Sequence, residues 1–279
     1  MMTAQIELQH INCKVGGKYL LHDITWRIQP GERWIVFGEN GSGKTTLLSL
    51  IAGYKRYSSG TIQLFGEPYH SEQILRYRRR IGLVSTSFFN RILCKESVLS
   101  IVLSGKSGTL GISTYISNQD ILRAKILLDI FHIGRKKDMP FYLLSKGEQQ
   151  SVLLARAFMG KPEILLLDEA DSGLDYLARI RLTDFLAAFA AETNATMIAV
   201  THYPNEIPEF FEYGMLMKDG RIYKKGLLED IFCTEVFCDF LNTPVEVQKQ
   251  KNGYQFISKG DVNRYAELWR TRSGDRELL

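Results

Sequence analysis

Two runs near the start of the chain, "IELQHINCKV" and "LLHDITWRIQP", alternate apolar and polar residues and are split by "GGK". A period of two predicts strands that bury one face, and the glycine pair predicts the turn between them. "PGE" at 30–32 predicts a second turn, and "RWIVFG" a short buried strand. The period then changes. "KTTLLSLIAG" suits a helix that stops at Gly53, while "GTIQLFG" and "RIGLVST" return to strand patterns.

From about 91 to 160 the signals are mainly helical. "SVLSIVLSG", "DILRAKILLDIFHI" and "SKGEQQSVLLARAFMG" each suit an amphipathic helix. Beyond Pro162 the alternation of elements resumes: strand "EILLLDE", helix "YLARIRLTDFLAAFAAE", strand "TMIAVTH", and a hairpin "GMLMKDGRIYKKG" turning at Asp219-Gly220. The helix carries Leu182, Phe185, Leu186 and Phe189 along one face. Strands alternating with helices predict an α/β fold with a mostly parallel core sheet, an antiparallel β-subdomain at the N-terminus and an inserted helical subdomain. The predicted division is a main domain over 1–226, with the helical part at about 91–160, and a separate C-terminal extension over 227–279. In the extension "PVEVQKQKNGYQFIS" predicts a small hairpin and "DVNRYAELWRTR" a helix.

Composition narrows the function classes. The chain has 279 residues, 45% of them apolar, enough for a large core. A formal net charge of +4 spread over the chain gives no argument for nucleic acid. No run approaches the roughly 18 apolar residues of a membrane span, and "MMTAQIELQH" lacks the basic head and apolar centre of a signal peptide. A cytosolic location is expected. Cys13, Cys94, Cys233 and Cys238 are scattered and read as reduced packing residues. The run "RYRRR" at 76–80 reads as a solvated helix face.

The stretch "GENGSGKTT", Gly38 to Thr46, fits the phosphate-loop pattern G-x-x-x-x-G-K-[ST] between a predicted strand and helix. Gly38, Gly41 and Gly43 allow the tight turn, and the backbone N–H groups through Glu39, Asn40 and Ser42 face the phosphates. Lys44 neutralises the outer phosphates, and Thr45 offers a hydroxyl to Mg²⁺. Thr46 is grouped with the loop, with a plain helix position as the alternative. "ILLLDEA" puts Asp168 and Glu169 at the end of a buried strand, where open α/β sheets bind ligands. Asp168 suits Mg²⁺, and Glu169 suits a general base for water. In "LLSKGEQQ", Ser145 and Glu148 form a capping box that opens a helix.

Taken together these stretches resemble the ATP-binding subunits of ATP-binding-cassette (ABC) transporters. "GENGSGKT" resembles Walker A, "LSKGE" the signature usually written LSGGQ, "ILLLDE" Walker B, "SGLD" at 172–175 the D-loop usually written SALD, and "TH" at 201–202 the switch histidine. The resemblance covers about 5–226. It implies a P-loop NTPase fold and an ATPase in which two subunits, expected to be a homodimer, pair head to tail around ATP and Mg²⁺. Ser145, Gly147 and Glu148 would then reach the γ-phosphate on the partner chain. Glu169 would activate water, His202 would hold the γ-phosphate, and Asp175 would link the two sites. A separate membrane permease would dock on the helical insert, placing the subunit on the inner face of the membrane, with no nucleic acid as partner. The tail resembles short C-terminal extensions of ATPases serving metal-chelate importers, and the "IGLVSTS" variant is similar to a subset associated with molybdate-type systems; these resemblances imply import of a metal, a metal chelate or an oxyanion. The alternative is a soluble ABC ATPase acting on ribosomes or nucleic acid. A P-loop kinase would leave the signature and histidine unexplained.

Two positions depart from the family pattern. The adenine-stacking aromatic falls at Val15. Tyr19, four residues on, is read as a core residue, with adenine stacking the alternative. After "IGLV" the family usually has a glutamine, and here Thr86 stands in its place. Its hydroxyl is shorter, and it is not assigned to the site.

Overall fold

The computed structural model describes residues 3–89, 95–250 and 253–260. Strands β1 (Ile6–Val15) and β2 (Lys18–Ile28) form the first hairpin, turning at Gly16-Gly17. β1 buries Ile6 and Leu8, then Ile11 and Cys13, a change of phase that strict alternation forbids. The reason is a bulge: His10 has φ 52° and the pairing with β2 shifts between Leu8 and Ile11. One extra residue restores the apolar face to the core.

β3 (Arg33–Gly38) runs into the phosphate loop, and α1 (Lys44–Ile51) leaves it. β4 (Ser59–Leu64) and β5 (Glu67–Pro68) complete an antiparallel sheet in the order β2-β1-β4-β5. Next come α2 (Ile74–Arg80), β6 (Ile81–Ser85) and a single turn of helix, α3 (Thr86–Phe89). The "RIGLVST" strand thus ends one residue early, and its Thr86 opens a helical turn. Helix α2 corrects the expectation of a solvated "RYRRR" in part: Tyr77 is buried and Arg78 and Arg80 are half-buried, while Arg76 and Arg79 stay exposed. Arg76 pairs with Glu67, Arg80 pairs with Glu163, the Arg78 guanidinium lies 3.9 Å from the Tyr54 ring centre, and Arg79 donates to the Ser107 carbonyl. Arg78 and Arg80 are committed to the fold.

α4 (Val98–Ser104), α5 (Asn118–Ile130) and α6 (Lys146–Met159) follow, packed on one another between β6 and β7 (Ile164–Asp168). Buried Arg156 of α6 pins the group by donating to Ser104 Oγ, Tyr54 Oη and the Thr109 carbonyl. α7 (Tyr176–Glu192), β8 (Thr196–Val200), β9 (Tyr213–Lys218) and β10 (Arg221–Leu227) complete the core. The six-stranded sheet has the order β10-β9-β3-β8-β7-β6 and is parallel except at its β9–β10 edge. Parallel pairing brings the carboxyl ends of β3, β6, β7 and β8 to one rim, and the candidate chemistry lies there.

The residues after 227 are built into this core. α8 (Leu228–Ile231) lies on β9, and α9 (Thr234–Leu241) leads to the hairpin β11 (Val245–Gln250) and β12 (Gly253–Ser258). Phe37 of β3 meets Phe232, Phe237 and Phe256 with ring centres 5.9, 5.5 and 6.4 Å away. A separate tail would not share an aromatic cluster with the strand that feeds the phosphate loop. Cys94, Asn252, where the hairpin turn is expected, and the helix expected at 261–272 fall outside the described residues. Because Phe237 is fully buried, Phe237→Ala is expected to destabilise the whole chain by about 3–5 kcal/mol. Calorimetry should show one cooperative transition moving down. A small early transition with the main one unmoved would mean that the tail melts alone.

Candidate functional site

The phosphate loop owes its shape to glycine. Gly43 has φ 102°, and a Cβ there would fall 2.8 Å from the Leu20 carbonyl and 2.9 Å from Leu21 Cδ2. The loop therefore lies directly against β2, and a side chain would push it away. Lys44 opens α1, and its ammonium donates to the Gly38 carbonyl at 2.7 Å and the Glu39 carbonyl at 2.8 Å. Burial pulls its pKa below the ordinary lysine value, and the nearby charges of Glu169 and Asp168 partly oppose that.

Asp168 ends β7 with 4% of its surface exposed. Its Oδ1 accepts from Thr45 Oγ1 at 3.1 Å and its Oδ2 from Ser85 Oγ at 2.8 Å. Burial pushes its pKa up, and the two hydroxyls draw it partly back. Ser85 was missed by the sequence reading, which looked one residue on. In the parallel register Ser85 stands opposite Asp168. Thr86, by contrast, opens α3, whose Phe88 and Phe89 rings pack on Tyr54 with centres 4.8 and 5.9 Å away.

Glu169 adopts a left-handed backbone, φ 51°, an unusual conformation for a glutamate. Three contacts hold it there. Its N–H donates to the Val200 carbonyl at 3.2 Å, its carbonyl accepts from buried Gln150 Nε2 at 3.3 Å, and its Oε1 meets His202 Nε2 at 2.9 Å. Gln150 is a second residue the sequence reading missed, since only the folded sheet brings α6 beneath the end of β7. The turn after His202, Pro204–Glu206, is tied to α7 by the Arg179–Glu206 ion pair at 3.2 Å and abutted by Gly253 of the tail.

The "LSKGE" stretch opens α6 as expected. Ser145 Oγ accepts from the Glu148 N–H and Glu148 Oε2 accepts from the Ser145 N–H, a full capping box. Beside it Gly173 has φ 78°, with its would-be Cβ 3.2 Å from Lys146 Cβ, and its carbonyl lies 2.8 Å from where a Cβ on Gly147 would sit. The lysine in the signature and the glycine in "SGLD" are therefore matched: an alanine at 173 would be strained and crowded. Asp175 caps α7, accepting from the Ala178 N–H at 2.8 Å. Among the described residues no hydrogen bond or ion pair joins Ser145, Gly147 or Glu148 to the loop 38–46. One chain thus assembles Lys44, Thr45, Asp168, Glu169 and His202, and leaves the signature residues out of that group.

Tyr19 is not a core residue. It is 42% exposed, and Val15 is 55% exposed. The Tyr19 ring carries Lys14 Nζ 4.2 Å from its centre and His22 at 4.5 Å, and it directly precedes Leu20, whose carbonyl faces the phosphate loop.

Comparison with known proteins gives a consistent result. Residues 21–172 match the family described as ABC transporter. The chain is 33% identical over 244 residues to the ABC transporter ATP-binding protein YlmA of Bacillus subtilis, covering 87% of this chain and 92% of YlmA. It is 31% identical over 236 residues to the Fe(3+) ions import ATP-binding protein FbpC 2 of Rhodococcus jostii, covering 84% of this chain and 66% of that protein. Among solved structures it resembles the dimeric form of MJ0796, a bacterial ABC transporter cassette, with TM-score 0.70 and 26% identity over 80% of this chain and 98% of that one.

Proposed function

The chain belongs to the ABC transporter ATP-binding family and is an ATPase, and from that premise we propose that two copies pair head to tail around two ATP molecules to drive a separate membrane permease. The observation that carries this reading is the division of the site. Lys44, Thr45, Asp168, Glu169 and His202 converge within one chain, while Ser145 and Gly147 present a capped helix end elsewhere. A second chain can bring that helix end to the γ-phosphate, where backbone N–H groups and the Ser145 hydroxyl stabilise the anion.

The chemistry follows from the placed groups. The loop N–H groups and Lys44 bind the ATP phosphates. Water attacks the γ-phosphorus and passes its proton to Glu169, and the bond to the β-phosphate oxygen breaks to release ADP. His202 holds the Glu169 carboxylate and hydrogen-bonds the γ-phosphate. The Thr45 hydroxyl and the Asp168 carboxylate are a hard oxygen set of the kind that would hold Mg²⁺. That ion would supply charge neutralisation on the phosphates. Tyr19, exposed beside the loop, offers a face to adenine. Tyr19→Ala is expected to weaken ATP binding roughly tenfold, within the ~1–3 kcal/mol typical of base–aromatic stacking, while Tyr19→Phe stays near the parent. Equal binding by all three proteins would remove Tyr19 from the site.

Among the described residues no helix is long and apolar enough to cross a membrane. In the proposed assembly the permease is a second protein, and this subunit works at the cytoplasmic face. The proposed cargo is a metal, its chelate or an oxyanion, and the similarity to an Fe(3+) import subunit supports the metal among these. Purification of the full chain from detergent-solubilised membranes tests the assignment. A membrane-spanning protein should be retained, and its identity gives the cargo class. Recovery with ribosomes and no membrane protein would overturn it.

A further inference from the structure

Glu148 places a carboxylate where the family signature usually carries a neutral glutamine. In the composite site that carboxylate would lie beside the triphosphate bound on the partner chain, and like charges repel. It is not left alone. Lys136 Nζ lies 2.5 Å from Glu148 Oε1, while Oε2 is held by the Ser145 N–H. Lys136 comes from a different segment, the short turn Gly134–Lys136 after α5, and belongs to no nucleotide motif. Its position is fixed by the backbone: its N–H donates to the Ile133 carbonyl at 3.0 Å, and its carbonyl accepts from the Met139 N–H at 2.9 Å. Both groups of the pair are partly exposed, 39% for Lys136 and 31% for Glu148. A pair this exposed adds little to stability. The Lys136 ammonium also draws the Glu148 carboxyl below its ordinary range, with the Ser145 N–H adding to the effect.

We infer that Lys136 is a positioning residue for ATP recognition: it cancels the charge of Glu148 and holds that carboxylate on the helix end, so that the start of α6 meets the γ-phosphate on the partner chain without an opposing charge. This rests on the head-to-tail reading above. The pair then acts as a substitute for glutamine. Lysine and glutamate together present the neutral surface that glutamine presents alone, and the two positions depend on one another.

The test uses the full chain carrying Glu169→Gln, with ATP-driven association followed by sedimentation at fixed low salt. Adding Lys136→Met should weaken association about tenfold, while ATP affinity of the single chain at low protein concentration stays unchanged. Adding Glu148→Gln to that variant should restore association, and Lys136→Arg should match the parent. A merely structural role for Lys136 would not be rescued by removing the charge on its partner. The inference falls if Lys136→Met associates like the parent, or if Glu148→Gln fails to restore it. Should the parent bind ATP and never associate, the head-to-tail reading fails first and takes the inference with it.

Discussion

Glu169→Gln is expected to lower steady-state ATP turnover by about a hundredfold or more, the range removed with a general base, and to leave ATP binding intact. The substitution is nearly isosteric. The amide can keep the contact with His202 Nε2 at 2.9 Å, and the backbone supports from Val200 and Gln150 do not involve the side chain. What is lost is the capacity to accept a proton. The left-handed φ of 51° aims this one side chain off the end of β7, and no other carboxylate in the group is equally placed, because Asp168 is committed to Thr45 and Ser85. Single-turnover kinetics should show bound ATP that persists. Hydrolysis at the parent rate would show that Glu169 is not the base.

Lys44→Ala is expected to reduce ATP affinity on the order of a hundredfold or more, since a charge-assisted hydrogen bond contributes about 1.5–3 kcal/mol and the ammonium can make more than one to the phosphates. The side chain is 6% exposed and already desolvated by the fold, so it does not shed a water shell to meet an anion. Its removal also takes away a cation that interacts with both Asp168 and Glu169. Calorimetric titration of the variant with ATP should show no measurable binding at micromolar concentrations, with the helical and sheet signals of circular dichroism unchanged. Binding like the parent's would displace Lys44 from the phosphate site.

The elements that carry these two residues were legible because strand, glycine loop and helix, and strand followed by two acids, are local patterns. The helix opened by Ser145 was legible for the same reason. Ser85 was not, since its place opposite Asp168 depends on β6 and β7 being neighbours, and sheet order is not written in either strand. Gln150 and Lys136 were hidden likewise by contacts between distant segments. Tyr19 was misread from the period-two pattern of "KYLLHDI". The pattern puts it on the face of Leu21, but it is the second residue after the hairpin turn at Gly16-Gly17, where the core no longer covers that face. Nothing local in the sequence ties the extension to the sheet. Phe232, Phe237 and Phe240, buried against the sheet, were the available signal that it is not separate.

The central claim is that each site needs two chains, and mixing tests it. On the Glu169→Gln background, one protein carries Lys44→Ala and the other Ser145→Arg. Head-to-tail pairing leaves neither with an intact site when paired with itself, while a mixed pair joins the intact phosphate loop of one chain to the intact signature of the other. Sedimentation with ATP should therefore show single chains for each protein alone and two-chain complexes for the mixture. A mixture that remains single chains, while the Glu169→Gln parent pairs under the same conditions, would contradict the composite site.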